Sequence, residues 1–488
     1  MDALYRKRME ALLGDEMAAY EKSLEEPLFQ GLRISERKQP LEMTKASLPF
    51  LREPSKFAKN TWYIQGQYGL HPAHLQGLFY LQEPSAGSAV EVLDVKPGDR
   101  VLDLCAAPGS KSTQILEKLE DGFLLSNEIE PKRAQVLLSN MERMGAENFM
   151  VTNMDSKTLC AQLPESFDKI LVDAPCSGEG MMKKHEAALE EWSYPNVLLC
   201  AARQKDILKE AWKSLKPGGQ LVYSTCTYAP EENEENVAWL LSEFEDARQL
   251  PIDVEWGRPG VETEGMDAAK VRRIFPMDGG EGHFVARFEK TGEKPEETKE
   301  TKRKGKGMDF EKSKPLPKEA QAFLEEQSRE GYAFYKVESD GKSQLVYGMN
   351  HPFLKLKKGR VLRQGVLIGE LVKKRFEPAH AFYLSRLMAQ SGTTKTETSL
   401  EEMDAFYHGE QLQIPAESGY RALSYQSVPY GFGKASAGRI TNKLPKGLRL
   451  NPNSHVRLFD GEKTAAKTMA EGKEEKNPPV SEQSGSGM

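Results

Sequence analysis

Two cysteines stand at the ends of apolar runs, Cys176 in "LVDAPCSGEG" and Cys226 in "LVYSTCTYAPEENEENV". Such runs read as buried strands that stop at a turn, and Asp173 lies on the first of them just ahead of Cys176. A thiol in that place can pack, bind a metal, form a disulfide or attack an electrophile. An unperturbed thiol has a pKa near ~8.5, so little of it is thiolate at neutral pH unless its surroundings help. Cys226 is followed by "PEENEEN", which reads as the proline-led, acid-rich first turn of a helix. That puts Cys226 at the ligand-facing edge of a sheet, and if the strand of Cys176 is its neighbour, both sulfurs face one pocket.

Two of the four roles are disfavoured by composition. The five cysteines, Cys105, Cys160, Cys176, Cys200 and Cys226, are odd in number and widely spaced, which fits a reducing compartment rather than a disulfide framework. No C-x2-C pair exists and the 8 histidines are scattered singly, so no metal is expected. Cys160 and Cys200 read as packing residues.

A second reactive-looking stretch is "VLDLCAAPGSKS", a small-residue turn between a strand and a helix. In a doubly wound sheet this is where ligands bind, against backbone N–H groups and a helix N-terminus. The turn comprises Cys105, Ala106, Ala107, Pro108, Gly109, Ser110 and Lys111; Ala106, Ala107 and Gly109 let the backbone approach a ligand closely, and Cys105 takes part through its backbone. Lys111 either orients catalytic groups or simply begins the helix. Glu128, ending the next strand, holds the position that takes ribose hydroxyls, and Asp155, ending "TNMD", is placed for an adenine amino group or for ordinary turn capping. A ligand-free structural turn or a nicotinamide site would share this geometry. A nicotinamide site, however, normally shows G-x-G-x-x-G, and this turn has one glycine and no pyrophosphate cradle. S-adenosylmethionine, a cationic adenosyl cofactor without phosphates, suits it better.

The elements that must position these residues follow from periodicity. "DRVLDLC", "GFLLSNEI", "FMVTNMD" and "FDKILVDAP" read as strands separated by helical stretches, and "LKEAWKSLKPGGQLVYSTC" reads as a helix, a glycine turn and a further strand. This predicts an α/β fold with a parallel sheet covered on both faces. At 488 residues the chain exceeds one core, so two or three domains are expected. Residues 1–90 read as a helical extension, 91–288 as the α/β domain that carries these motifs and 289–315 as a solvated, charged linker. Residues 316–392 read as a small α+β unit and 393–459 as a β-rich one, both rich in Lys, Arg and aromatics; residues 460–488 read as a disordered tail. The mean hydropathy of −0.59, the lack of any apolar run of ~20 residues and an N-terminus without a signal core predict a soluble, cytoplasmic protein with no membrane partner. A net charge of −6 does not announce a nucleic-acid binder, although acidic segments can mask a basic face.

Taken together, "LDLCAAPGSKS", "NEIEPKR", "LVDAPCSGEG", "LVYSTCTYAPEENEENV" and "RIFPMDGGEGHFVARF" resemble the RNA (cytosine-5) methyltransferase family in order and spacing throughout residues 90–288. The flanking regions are most similar to the branch of that family that modifies small-subunit ribosomal RNA, with an N-terminal extension and a PUA-like end. The resemblance implies a Rossmann-like class I methyltransferase fold, S-adenosylmethionine as cofactor, and 16S rRNA or the small ribosomal subunit as partner of a monomeric enzyme. The same catalytic motifs allow tRNA or another RNA, and the fold alone would allow a non-catalytic assembly protein.

By that resemblance Cys226 is the nucleophile and Cys176 assists product release. In DNA cytosine-5 methyltransferases the Pro-Cys cysteine attacks instead, which would promote Cys176; chain order favours the RNA arrangement. Carbon 5 of cytosine is a poor nucleophile, so a thiolate must first add to carbon 6. Asp173 is expected to touch both the cofactor and the ring edge. His283 and Phe284, in the strand that closes the sheet, either contact substrate or serve structure. Arg33 matches the Arg-x-Asn pattern of relatives while Ser35 replaces its asparagine, and Lys355, Lys357, Lys358, Arg360 and Arg363 are expected to grip RNA phosphates.

Overall fold

The computed structural model describes residues 2–184, 192–292, 308–339 and 341–459. The tail from residue 460 and residues 293–307 of the charged linker lie outside the described residues. Among the described residues no helix is long and apolar enough to cross a membrane.

The centre is a nine-stranded sheet. Five strands are mutually parallel: β4 (Arg100–Asp103), β5 (Phe123–Asn127), β6 (Phe149–Asn153), β7 (Phe167–Asp173) and β8 (Leu215–Thr225). They lie in the order 6-5-4-7-8, so the winding reverses between β4 and β7. Alternate residues feed two cores. Leu102, Leu125, Ile170 and Val172 pack on one face, and Val101, Leu124, Leu171 and Val222 on the other. Burial on both faces explains why these strands read as continuous apolar runs rather than alternating ones. Beyond β8 the sheet turns antiparallel through β11 (His283–Lys290) and β10 (Val271–Ile274), with β9 (Ala247–Leu250) also paired to β11.

The N-terminal residues depart from the all-helical expectation. Helices Ala3–Leu13 and Met17–Glu25 are present, but β1 (Gln30–Ile34), β2 (Thr61–Ile64) and β3 (Phe79–Leu81) form an antiparallel sheet in the order 2-1-3. Its strands are too short to carry their own periodicity, and β1 meets β2 only across a long connection.

A second departure concerns Arg360 and Arg363. Instead of standing in a separate unit, they lie on β14 (Arg360–Gln364), which pairs antiparallel with β6 and extends the central sheet. Met308, Met349, Phe353 and Leu354 likewise enter the core of that sheet. The remaining strands form two four-stranded sheets: β12 (Phe334–Ser339), β13 (Ser343–Met349), β15 (Val366–Val372) and β16 (Arg375–Pro378), then β17 (Lys395–Glu397), β18 (Gly419–Tyr425), β19 (Val428–Ser436) and β20 (Arg439–Asn442). The last sheet touches the N-terminal unit, where Gln76 Nε2 donates to Tyr425 O and Val428 O at 2.6 and 2.8 Å. His408 and His455, separate in sequence, both approach Asp404, with His455 Nδ1 3.0 Å from Asp404 Oδ2.

Candidate active site

β7 and β8 are neighbours in register, Asp173 opposite Ser224, so the turns that follow them leave the sheet side by side. Cys176 and Cys226 stand on those turns with their sulfurs 3.3 Å apart. The turns are bound to each other. Gly180 N donates to Cys226 O at 2.9 Å, Ser177 Oγ lies 2.8 Å from Thr227 Oγ1, and Glu179 Oε2 accepts from Thr227 Oγ1 and Tyr228 N, both at 3.0 Å. Glu232 Oε2 accepts from Ser177 N at 3.0 Å and Gln204 Nε2 at 2.7 Å. The hydrogen bond with the Cys226 sulfur, together with burial, pushes the Cys176 thiol well up. Cys176 is therefore held as S–H.

Asp173 ends β7 between these turns and the helix Ser110–Leu119. Lys111 Nζ lies 2.8 Å from its Oδ2 and Ser224 Oγ donates to its Oδ1 at 2.7 Å. Burial opposes ionisation of Asp173, but Lys111 and Ser224 together hold its carboxyl below the usual range. Lys111 lies in the first turn of that helix and its ammonium is ion-paired with Asp173.

The small-residue turn follows β4, next to β7 at the reversal of winding, where a crevice opens in such sheets. Gly109 has φ +108°, a conformation that disfavours side chains, and it opens the helix Ser110–Leu119, whose first N–H groups have no carbonyl partner within the helix. Arg133 braces the turn by donating to Ala107 O at 2.8 Å, and Asn140 Nδ2 donates to Pro108 O at 2.9 Å. Ser110 Oγ donates to Gln82 Oε1 at 2.8 Å. Burial pushes the Cys105 thiol well up, leaving it an inert S–H within the turn. Glu128 follows β5, buried, and accepts from Glu130 N at 2.9 Å. Asp103, at the end of β4, accepts from Ser112 Oγ at 2.6 Å through Oδ2, while its buried Oδ1 has no partner among the described residues. Burial pushes Asp103 up to about 7. Three carboxyl groups thus border one helix start, a donor set that fits a cationic ligand bearing hydroxyls. Asp155 lies on the same sheet edge but is exposed and accepts from Thr158 N at 2.8 Å, capping the helix Ser156–Cys160.

Arg33 is buried and donates to Thr113 Oγ1 at 2.7 Å, fastening the N-terminal unit to the helix Ser110–Leu119 rather than facing a ligand. Cys160 and Cys200 are buried, as expected of packing residues. Lys355, Lys357, Lys358 and Arg360 are exposed. Arg363, by contrast, is turned inward against Glu142 at 2.5 Å and is not free to hold a phosphate. Ser224, Glu179 and Glu232 support the site but were not singled out from the sequence. Glu179 and Glu232 lie within the two cysteine motifs, whose acids there read only as helix-start and turn residues.

Four family models match the chain: 16S rRNA methyltransferase RsmB/F over residues 90–289, the N-terminal domain of 16S rRNA methyltransferase RsmF over 1–84, the RsmF rRNA methyltransferase first C-terminal domain over 335–385, and the methyltransferase RsmF PUA domain over 393–450. Ribosomal RNA small subunit methyltransferase F of Vibrio parahaemolyticus is 32% identical over 457 residues, covering 88% of this chain and 92% of that protein. The Cronobacter sakazakii protein of the same name is 34% identical over 385 residues, covering 77% and 78%. Among solved structures, a methyltransferase homolog protein from Pyrococcus horikoshii superposes with a TM-score of 0.53 at 28% identity, over 59% of this chain and 95% of that one. NSun6 from Pyrococcus horikoshii, solved with SFG, an S-adenosylmethionine analogue, shares the fold with a TM-score of 0.52 at 24% identity, over 59% and 98%. With its paired strand-end cysteines, its Rossmann-like sheet and relatives matched over most of their length, the chain belongs to the RsmF family of 16S rRNA methyltransferases.

Proposed function

We propose that the chain methylates carbon 5 of a cytosine in small-subunit ribosomal RNA, with Cys226 adding covalently to carbon 6 and Cys176 assisting release. The observation that carries this reading is the 3.3 Å approach of the two sulfurs beside the Lys111–Asp173 pair. S-adenosylmethionine supplies the electrophilic methyl group when bound. Residues Cys105 to Lys111 would hold it with Glu128, Asp155 and Asp173; the unpartnered oxygen of Asp103 supports a positive charge nearby. Relatives named for small-subunit rRNA favour that substrate over tRNA.

The roles are those the family resemblance implies, and the geometry is compatible with them. The raised pKa of Cys176 suits a thiol that stays protonated and hydrogen-bonds a neighbouring sulfur. As the Cys226 sulfur adds to carbon 6, its proton passes to nitrogen 3, and Asp173, kept ionised by Lys111, accepts the hydrogen bond from the N–H formed there. After methylation the carbon 5 proton passes to solvent water, its bonding pair re-forms the ring double bond, and the Cys226 sulfur leaves with its electron pair. The S–H of Cys176 hydrogen-bonds that emerging thiolate. A base within a duplex cannot reach both sulfurs, so the target cytosine must be unpaired or flipped out.

The test uses Cys176→Ala protein incubated with RNA and cofactor and run on a denaturing gel. A covalent complex is expected to accumulate and to disappear when Cys226→Ala is added. An adduct trapped by Cys226→Ala alone, with none from Cys176→Ala, would reverse the roles, and no adduct from either single variant would count against the covalent route. Bisulfite sequencing of rRNA from cells lacking the protein identifies the modified position.

A further inference from the structure

One buried imidazole, on the strand that pairs with the strand leading into Cys226, is not used by this mechanism. β11 runs antiparallel to β8 with Phe284 opposite Thr225, so one step further along each strand stand His283 and Cys226. His283 is only 7% exposed. Its Nδ1 lies 2.9 Å from Ser85 Oγ, and Ser85 Oγ donates to Glu83 Oε2 at 2.7 Å. Glu83 Oε1 in turn accepts from Ser85 N at 2.8 Å and Glu281 N at 3.1 Å. Burial raises the Glu83 pKa, and these three donors oppose it.

Proton counting along this chain fixes the tautomer. A carboxylate only accepts, and the single Ser85 hydroxyl proton points to it. The Ser85 oxygen must then receive Nδ1–H from His283, which leaves the lone pair on Nε2. Nε2 has no hydrogen-bond partner among the described residues. Glu83 Oε2 lies 3.7 Å from Nδ1, and Lys111 and Asp173 act on the ring from the facing elements; burial first, and Lys111 next, lower the His283 pKa to about 3. The ring therefore stays a neutral acceptor at any working pH.

We propose that His283 Nε2 accepts a hydrogen bond from the exocyclic amino group of the target base, making His283 a residue that selects cytosine. The inference rests on the reading of the site given above. The amino group is borne by carbon 4, next to the carbon that receives the methyl group, and it carries the only N–H bonds on the base edge. Uracil presents an oxygen there, which would set two lone pairs against each other. A site built to receive an N–H discriminates against a base that lacks it more strongly than an apolar wall could.

The test compares an RNA oligomer carrying cytosine at the target position with the same oligomer carrying 2-pyrimidinone, which lacks the amino group. Half-saturation of adduct formation is measured in a Cys176→Ala background. That protein is expected to favour the cytosine oligomer by about tenfold or more. His283→Leu should bring the ratio within about twofold. His283→Gln, whose amide oxygen can take the place of Nε2, should keep most of it, and Ser85→Ala, which frees Nδ1 and the tautomer, should fall between. Ratios unchanged in both His283→Leu and Ser85→Ala would overturn the inference. Absence of any adduct in the parent would instead overturn the reading beneath it.

Discussion

A buried carboxylate that lacks a partner on one oxygen responds to any cation placed beside it, and Asp103 is that group in the cofactor crevice. Burial pushes it up to about 7, so below that pH it is largely protonated in the free protein. Affinity for the sulfonium cofactor should therefore decline below pH 7, by up to about tenfold per pH unit, and the decline should flatten in Asp103→Asn; calorimetric titration over pH 5.5 to 8.5 reads both. Stability carries the matching sign. The folded pKa lies above the unfolded one, so the native state binds the extra proton and stability falls as pH rises from the unfolded Asp value of about 4 toward 7. Asp103→Asn should remove that slope from Tm measured against pH. A variant with the parent's slope would show that another group titrates there. At this scale the sequence was informative where chemistry is local: Cys176, Cys226 and Asp173 announce themselves by ending apolar strands. Ser85 did not, because its meaning depends on Glu83 and on a histidine far along the chain.

Strands pair by register, and register is readable only when the partner is nearby in sequence. β4 to β8 were legible because each is buried on both faces and separated from the next by a helical stretch. β14 was not legible, since "RVLRQ" becomes a strand of the central sheet only by meeting β6 across a long stretch of chain. That pairing divides the basic residues into two classes with different expected behaviour. Lys357, Lys358 and Arg360 lie exposed where β14 enters the sheet beside the carboxyl end of β6, the edge that also carries the cysteines. Replacing all three by glutamine should weaken RNA binding regardless of sequence and lower the slope of log affinity against log salt by about 2. Arg363→Ala should leave that slope alone and instead destabilise the fold by about 1 to 3 kcal/mol in urea, because it strands Glu142 in a partly buried position. The opposite pattern, a changed salt slope with Arg363→Ala and none with the triple variant, would reassign the RNA face. Deleting residues 310–488 is a poor probe of the same question, since it strips Phe353 and Leu354 from the catalytic core.

The units also interlock. Lys38 is buried and donates to Gln76 O and Arg143 O at 2.6 and 2.7 Å, and Arg37 donates to Gly145 O and Leu116 O. Two N-terminal cations thereby satisfy carbonyls at the ends of two catalytic helices, where the helix dipole favours positive charge. From the other side, Glu147 Oε1 accepts from Leu387 N at 2.9 Å and Gln390 Nε2 donates to Arg37 O at 3.0 Å. Val428, from the last sheet, packs in the core of the N-terminal one. Composition pointed to several domains because length alone exceeds one core, and it could not reveal that their surfaces would be apolar and polar in complementary places. Units sharing core residues should lose structure together. All five tryptophans, Trp62, Trp192, Trp212, Trp239 and Trp256, precede the charged linker, so their emission follows only the N-terminal and catalytic parts. Hydrogen exchange in peptides spanning residues 310–459 follows the rest. In a urea series the two midpoints should coincide. Loss of protection in the C-terminal peptides at clearly lower urea, with tryptophan emission still native, would mean that β14 and Val428 dock onto a catalytic core able to stand without them.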